Sequence, residues 1–216
     1  MITRFLVIVN VIAFIWEIMI GGPGILSLSG GNGIVKVYEL GAIIPPAVLQ
    51  DHQWWRVITS GFLHANIAHI AVNMISLYSL GRFIESVLGS LRMLLIYMLS
   101  LIVGGLAVVF LSGPDGGTLG ASGAIFGLFG ALFAIGLKAG KPGMDLVRSN
   151  LGILILNLVI TFAVPNISWQ DHIAGMLCGF VLTYLLYFPP RRVAPVVADA
   201  NTGTAYETEY QAPPRQ

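Results

Sequence analysis

Residues 119–127 have the sequence Leu-Gly-Ala-Ser-Gly-Ala-Ile-Phe-Gly, which places one serine, Ser122, among small residues at the start of an apolar helix. Small neighbours let a substrate backbone come close, and a helix N-terminus presents unpaired N–H groups that stabilise developing negative charge. Three further polar side chains, His69, Asn73 and His172, lie within other apolar segments. The pattern predicts a hydrolytic centre between apolar helices.

The composition indicates a membrane protein. Of the 216 residues, 56% are hydrophobic and 10% are charged, and the mean hydropathy is +0.84. A soluble domain carries about a quarter charged residues. The net charge of +1 provides no basic surface for nucleic acid. The single cysteine, Cys178, cannot form a disulfide within the chain.

The apolar segments predict an all-α, polytopic membrane protein, a bundle of six transmembrane helices. One domain covers residues 1–188, and the polar residues 189–216 are predicted to be a disordered cytoplasmic tail. The loop 21–60 is rich in apolar residues, including Trp54 and Trp55, so we expect it at the membrane interface. The predicted spans are residues 4–20, 61–88, 93–112, 122–137, 149–165 and 170–188.

The basic residues predict the orientation in the cell membrane. Lysine and arginine cluster before the first span, between the second and third, between the fourth and fifth, and after the sixth. By the positive-inside rule both termini are then cytoplasmic, although Lys36 and Arg56 lie in the long outer loop.

A depth argument places three polar residues together. Ser122, Asn73 and His172 each lie 16 or 17 residues from the inner end of their predicted helices. At about 1.5 Å per residue, all three lie roughly 24–26 Å above the inner face, near the outer surface. The fourth span is too short to cross the bilayer, so we expect a water-filled cavity that opens outward at Ser122.

His172 is the histidine at the matching depth and a suitable base for Ser122. Its helix face continues with small residues, and so does that of Ser122, which predicts close packing of the two helices. Phe126, one turn after the serine, is placed to stack on the imidazole. The small residues on the two faces are Gly175 and Gly179, and Gly123, Gly127 and Ala131.

His69 and Asn73 share one helix face, being four residues apart. Their N–H donors, with the backbone N–H of Ser122, predict an oxyanion site. His64 lies about 140° away around the same helix, and we interpret it as a structural residue that hydrogen-bonds the loop 21–60.

No third acid is apparent, so a Ser–His dyad is predicted. Asp171 points about 100° away from His172 on a helix, and we expect it at the interface as an N-terminal acid. Arg82 and Glu85 are one turn apart, which predicts a local ion pair.

Other interpretations of these residues exist. A Gly-Ala-Ser-Gly run is, by itself, more often a packing face than a nucleophile. Four histidines suggest zinc, but there is no His-Glu-x-x-His pattern and no acidic ligand at their depth, so neither a metal nor another cofactor is predicted. A channel, transporter or non-catalytic binder of helices is the alternative function. Against it, the sequence has no inverted repeat and no charge at mid-membrane.

With these residues in hand, the sequence closely resembles the rhomboid family of intramembrane serine proteases, in its minimal six-helix prokaryotic form. The resemblance covers most of residues 45–182. It is carried by Trp55-Arg56, by Phe62 through His64, His69 and Asn73 to Met74, by Gly81 to Glu85, by Gly120-Ala121-Ser122-Gly123, and by His172, Gly175 and Gly179.

The resemblance implies that Ser122 is the nucleophile and His172 its base, with Asn73 and His69 in the oxyanion site. It implies that loop 21–60 is half embedded and that residues 163–169 cap the site beside a gating fifth helix. The implied partners are the lipid bilayer and single-span protein substrates, with the oligomeric state left open. Phe126 stands where some relatives carry Tyr. Since both Ser and His are present, an active enzyme is expected.

Overall fold

The structure, a computed structural model, describes residues 1–28, 33–163, 168–189, 196–198 and 205–207. Its framework is six long helices. They are α1 (Ile2–Gly21), α2 (Ile67–Leu88), α3 (Ser90–Leu111), α4 (Ser122–Ala139), α5 (Lys141–Ala163) and α6 (Trp169–Leu186). Between α1 and α2 the chain forms the short helices Pro23–Leu26, Gly33–Gly41, Pro45–Leu49, Arg56–Thr59 and Ser60–Phe62, the first and last of 3₁₀ type.

The six predicted spans correspond to these six helices, but two begin six or more residues away from the predicted start. The second begins at Ile67 instead of residue 61, because Asn66 caps it by accepting a hydrogen bond from the His69 N–H at 2.8 Å. The fifth begins at Lys141 instead of residue 149, so its first two turns include polar residues. Pro142 is in the first turn of α5, where a missing N–H costs nothing.

The helix surfaces are those of a membrane protein. Helices α1 to α4 are each long and apolar enough to cross a bilayer. The prediction that the fourth span is too short to do so is therefore wrong, because α4 has 18 residues and extends to Ala139. Large apolar side chains also cover the outward faces of the bundle, far beyond what a soluble monomer exposes. Examples are Met19, Ile75, Leu91, Phe110 and Leu177, each more than half exposed. The observed architecture is an all-α, multi-pass bundle, as predicted.

Helix α4 is the centre of the bundle. It packs against α2, α3, α5 and α6, and its side chains from Gly123 to Leu132 are all buried. Eight of the 18 residues of α4 are glycine or alanine, at positions 123, 124, 127, 130, 131, 134, 136 and 139, so neighbouring helices can approach its backbone. The residue that begins this central helix is Ser122.

The segment between α1 and α2 is tied together by a buried arginine. The Arg56 guanidinium donates to the carbonyls of Ala42 at 2.8 Å and Glu39 at 2.6 Å, and to the Gln53 side chain at 2.6 Å. These bonds satisfy carbonyls at the end of the helix Gly33–Gly41, which has no further turn to accept them. Arg56 therefore has a structural role in this first loop, whose Trp54 and Trp55 are exposed.

Glu85 joins α1 to α2, and the predicted Arg82–Glu85 ion pair is wrong. The Glu85 carboxylate accepts hydrogen bonds from the backbone N–H groups of Ile2 at 2.6 Å and Thr3 at 3.1 Å. It also accepts from the hydroxyls of Thr3 and Ser90. Arg82 instead donates to the Tyr78 hydroxyl at 3.0 Å. A carboxylate is the best partner for the unpaired N–H groups at a helix start, so Glu85 bonds to the start of α1 and not to Arg82.

The tail 189–216 is described in part. Val196–Ala198 and Ala205–Glu207 form two short strands, β1 and β2, which pair antiparallel. At these six residues the structure differs from the disorder expected. The rest of the tail beyond residue 189 lies outside the described residues, and its disorder stays a prediction.

Replacing Glu85 with alanine should destabilise the protein. The substitution removes charge-assisted hydrogen bonds that connect α1 to α2, so we expect a loss of about 2 kcal/mol or more and a lower melting temperature. Thermal unfolding of the detergent-solubilised protein measures this. Glu39→Ala is the control, since that side chain is exposed. Equal melting temperatures for the two variants would contradict the assigned role.

Candidate active site

Ser122 and His172 come together at the start of two helices. The Ser122 Oγ lies 2.8 Å from the His172 Nε2, a hydrogen-bond distance. Ser122 is the first residue of α4, and His172 is the fourth residue of α6. The packing argument from the sequence thus predicted this contact, in which a histidine nitrogen lies within reach of a serine hydroxyl proton.

Glycines make the contact between α4 and α6 possible. A side-chain carbon added to Gly175 would overlap the carbonyl oxygen of Gly123, and one added to Gly179 would overlap that of Gly127. On the α4 side of the same contact, a carbon added to Gly130 would overlap the carbonyl oxygen of Met176. The two backbones are therefore in direct contact over about two helical turns, as the small-residue faces predicted.

Phe126 packs flat against the imidazole. The ring centroids of Phe126 and His172 are 4.2 Å apart, and the ring planes differ by 7°. Phe126 lies one turn after Ser122 on α4, so the same helix supplies both the hydroxyl and the surface that orients the ring. The stacking predicted from the sequence is present.

Thr161 on α5 contacts the imidazole at Nδ1, the ring nitrogen that does not face Ser122. This contact was not predicted from the sequence. The Thr161 Oγ1 lies 2.8 Å from the His172 Nδ1 and also donates to the Asn157 carbonyl at 2.7 Å. Asn157 and Thr161 are both buried. The available signal was this pair of polar residues, four apart, within the apolar fifth span.

His69 and Ser122 both lie next to Gly120. The His69 Nδ1 accepts a hydrogen bond from the Ala65 N–H at 3.3 Å, so the ring proton is on Nε2. A side-chain carbon at Gly120 would lie 2.8 Å from this Nε2 and 3.5 Å from the Ser122 Oγ. Gly120 has φ +131°, which other residues rarely adopt. Its conformation and its lack of a side chain leave His69 facing the serine.

Asn73 lies one turn after His69 on α2 and is buried. Its Nδ2 has no hydrogen-bond partner within the parts of the chain that the structure describes. A buried amide donor without a partner is costly, because its hydrogen bond to water has been given up. This side chain therefore offers a free donor one turn after His69 on α2.

The predicted hydrogen bond from His64 to the first loop is not seen among the described residues, where both ring nitrogens of His64 lack a partner. Its backbone N–H donates to the buried Glu17 carboxylate of α1, at 3.1 Å and 3.0 Å to the two oxygens. Burial lowers the pKa of the imidazole well below its ordinary value, so the ring is neutral. The ring packs edge-on against His69, with centroids 5.1 Å apart. His64 supports the site by contact with His69 and through its backbone bond to α1.

Asp171 is an acid in the first turn of α6, as predicted. It is also buried, and its carboxyl group packs against Gly104 of α3 and Gly123 of α4. Only glycine at these two positions leaves room for the carboxyl group. The side chain thus points away from the His172 ring, in keeping with a centre that has no third acid.

Comparison with known proteins identifies the family to which the chain belongs. The family model described as "Rhomboid domain" matches residues 51–188, a stretch that includes Ser122, His172, Asn73 and His69. The chain belongs to the rhomboid family. This assignment agrees with the resemblance seen in the sequence motifs and with the six-helix bundle.

Individual relatives include named proteases. The chain is 36% identical over 167 residues to "Rhomboid protease GluP" of Bacillus subtilis (strain 168), covering 76% of this chain and 32% of that protein. It is 34% identical over 134 residues to "Putative rhomboid protease YdcA" of the same organism, covering 62% and 67%. "Inactive RHOMBOID-like protein 8" of Arabidopsis thaliana is 32% identical over 199 residues, covering 85% and 55%. The chain thus spans from about a third to two thirds of these relatives.

The open cavity expected at Ser122 of this rhomboid is not seen in the part of the chain that the structure describes. Ser122 is half-buried and His172 is buried. A depression of about 500 Å³ lies instead between the first loop, the α3–α4 connection and the start of α6, and its lining includes Tyr38, Gly117 and Trp169. The α3–α4 connection is held over the serine by hydrogen bonds from Ile43 to Thr118 and from Gly120 to Ser60.

Replacing Gly179 with alanine should destabilise the protein by forcing α4 and α6 apart. The added methyl would overlap the Gly127 backbone, so α4 and α6 must separate, at a cost of about 1–3 kcal/mol. Thermal unfolding in detergent measures the loss. The control is Gly152→Ala in α5, where a methyl meets open space. A Gly179→Ala protein as stable as the control would contradict the backbone contact.

Proposed function

We propose that this rhomboid protein is a serine endopeptidase that hydrolyses peptide bonds in or near the transmembrane segments of other membrane proteins. Ser122 is the nucleophile and His172 the base. The observation that supports this most strongly is the 2.8 Å contact between Ser122 Oγ and His172 Nε2 at the N-terminus of an apolar, buried helix. Serine is a weak nucleophile unless such a base removes its proton.

The reaction follows from this contact. His172 Nε2 takes the hydroxyl proton as Ser122 Oγ bonds to the scissile carbonyl carbon, which gives a tetrahedral oxyanion and an imidazolium. The imidazolium then donates the proton to the leaving amine as the C–N bond breaks, leaving an acyl-enzyme. A water molecule, activated by the same base, hydrolyses the ester and restores Ser122.

Three donors are proposed for the oxyanion. The Ser122 backbone N–H is in the first turn of α4 and has no partner within the helix. The His69 Nε2–H faces the serine across Gly120. The Asn73 amide is buried without a partner among the described residues, so an oxyanion would supply the acceptor that it lacks.

The proposed substrates are membrane proteins because of where Ser122 lies. The serine belongs to the central helix of an apolar bundle, and a transmembrane substrate reaches that depth without leaving the bilayer. Its helix must unwind locally, since a helical carbonyl is engaged in backbone hydrogen bonds. The predicted cap, residues 163–169, lies mostly outside the described residues.

We propose that both termini are cytoplasmic and that the site opens to the outer face of the cell membrane. The support is the distribution of basic residues. Arg82, Arg92, Lys138, Lys141 and Arg148 all lie at the end of the bundle opposite Ser122, at or beside the α2–α3 and α4–α5 connections.

The first test is covalent labelling of the detergent-purified protein with a fluorophosphonate probe. We expect the wild type to be labelled, and Ser122→Ala and His172→Ala to lose labelling and cleavage of a model transmembrane substrate while keeping their melting temperatures. Cleavage retained by Ser122→Ala would overturn the mechanism. Folded wild-type protein that neither takes up the probe nor cleaves the substrate would favour a non-catalytic binder of helices.

The oxyanion site is tested by Asn73→Ala. Removal of one donor typically lowers turnover by about 100- to 1,000-fold, and we expect a loss in that range in kcat with little change in KM. The measurement is steady-state cleavage of the model substrate. Asn150→Ala is the control, because that amide hydrogen-bonds only within the exposed start of α5. A loss below about threefold for Asn73→Ala would remove this residue from the oxyanion site.

A further inference from the structure

Among the described residues, the His172 Nδ1, on the ring edge opposite Ser122, has one hydrogen-bond partner, the hydroxyl of Thr161. The Nδ1 lies 2.8 Å from the Thr161 Oγ1, and both side chains are only 5% exposed. With so little exposure, bulk water is a poor substitute for the hydroxyl at Nδ1. In a serine hydrolase with a third acid, this is the position that the carboxylate occupies.

The hydrogen bonds of Thr161 decide which partner carries the proton. A hydroxyl has one proton to donate and two lone pairs to accept with. The Thr161 Oγ1 lies 2.7 Å from the Asn157 carbonyl oxygen, one turn earlier in α5, and a carbonyl can only accept. The Thr161 proton is therefore used there, and Oγ1 meets the His172 Nδ1 as an acceptor.

From this arrangement we propose that Thr161 is a positioning residue that holds His172 in the tautomer with its proton on Nδ1. The inference rests on the proposed function, since it concerns how the base is prepared. With Nδ1 protonated, Nε2 presents its lone pair to the Ser122 hydroxyl, and the base is ready to accept the proton.

The same contact acts during the reaction. When Nε2 takes the serine proton, the ring becomes an imidazolium that carries a proton on each nitrogen. The Thr161 oxygen then accepts a hydrogen bond from a charged donor, and such bonds are stronger than neutral ones. Thr161 stabilises the transition state through His172 without touching the substrate.

Asp171 does not take this role, although it is the nearest acid in the sequence. Its carboxyl group is packed between Gly104 and Gly123, on the side of α6 that faces α3 and α4. The ring is instead positioned by Ser122 and Phe126 on α4 and by Thr161 on α5. The base is thus oriented from two helices other than its own.

The decisive variants are Thr161→Val, which keeps the shape and removes the hydroxyl, and Thr161→Ser, which keeps the hydroxyl. We expect Thr161→Val to lower the second-order rate of fluorophosphonate labelling by about 10- to 100-fold, and Thr161→Ser to stay within about threefold of wild type. Thr183→Val is the matched control, because this buried threonine has an Oγ1 without a partner in the described part of the chain.

A second readout reports the tautomer directly. In protein labelled with ¹⁵N-histidine, the Nδ1 and Nε2 shifts distinguish the two tautomers, and His172→Ala assigns the signals among four histidines. We expect protonated Nδ1 in the wild type and in Thr183→Val, and a mixture of tautomers in Thr161→Val. If the valine variant melts at a markedly lower temperature, Thr161→Ala replaces it, since alanine introduces no new bulk.

Each result separates the two proposals. Wild-type labelling with an equally fast Thr161→Val would overturn the role of Thr161 and leave the proposed function intact. A Thr161→Ser protein as slow as Thr161→Val would equally overturn the role of the hydroxyl. Folded wild-type protein that neither takes up the probe nor cleaves the model substrate would overturn the proposed function, and the ¹⁵N shifts would still decide the tautomer.

Discussion

The backbone contact between α4 and α6 is the constraint on which the rest of this structure depends. Gly175 and Gly179 lie directly on the carbonyls of Gly123 and Gly127, so the helices are as close as two helices can be. In a bilayer, where apolar burial gives little driving force between helices, such contact is a main source of association. It also fixes the distance between Ser122 and His172, since each begins or nearly begins its helix.

Polar groups inside the bundle are organised around the same contact. A buried polar atom is costly unless it is paired, and most of those near the site are paired across helices. The Glu17 carboxylate of α1 accepts from the His64 backbone, and the Thr161 hydroxyl of α5 meets the His172 ring. These bonds join the first and fifth helices to the central pair. Several buried polar atoms have no partner among the described residues, and the Asn73 amide, one turn after His69 on α2, is one of them.

The sequence predicted much of the fold and the central contact, for physical reasons. Helix periodicity and small-residue faces are local properties, so the six spans, the glycine stripe and the stacking of Phe126 on His172 could be predicted. Which of several possible partners a polar side chain binds could not be predicted. Glu85 hydrogen-bonds the start of α1 and does not pair with Arg82. Asp171 packs in a space left by glycines on two other helices. Thr161 was missed because only the packing of α5 places it beside His172.

The location of Asp171 has an electrostatic consequence. Each helix carries about half a positive elementary charge at its N-terminus, and α4 and α6 both begin beside the site. The buried carboxyl group contacts Gly123, the second residue of α4, and belongs itself to the first turn of α6. The positive ends of two helix dipoles therefore lie close together in this part of the bundle. The same positive potential acts on any anion that forms at Ser122, the first residue of α4, and it is present before a substrate arrives.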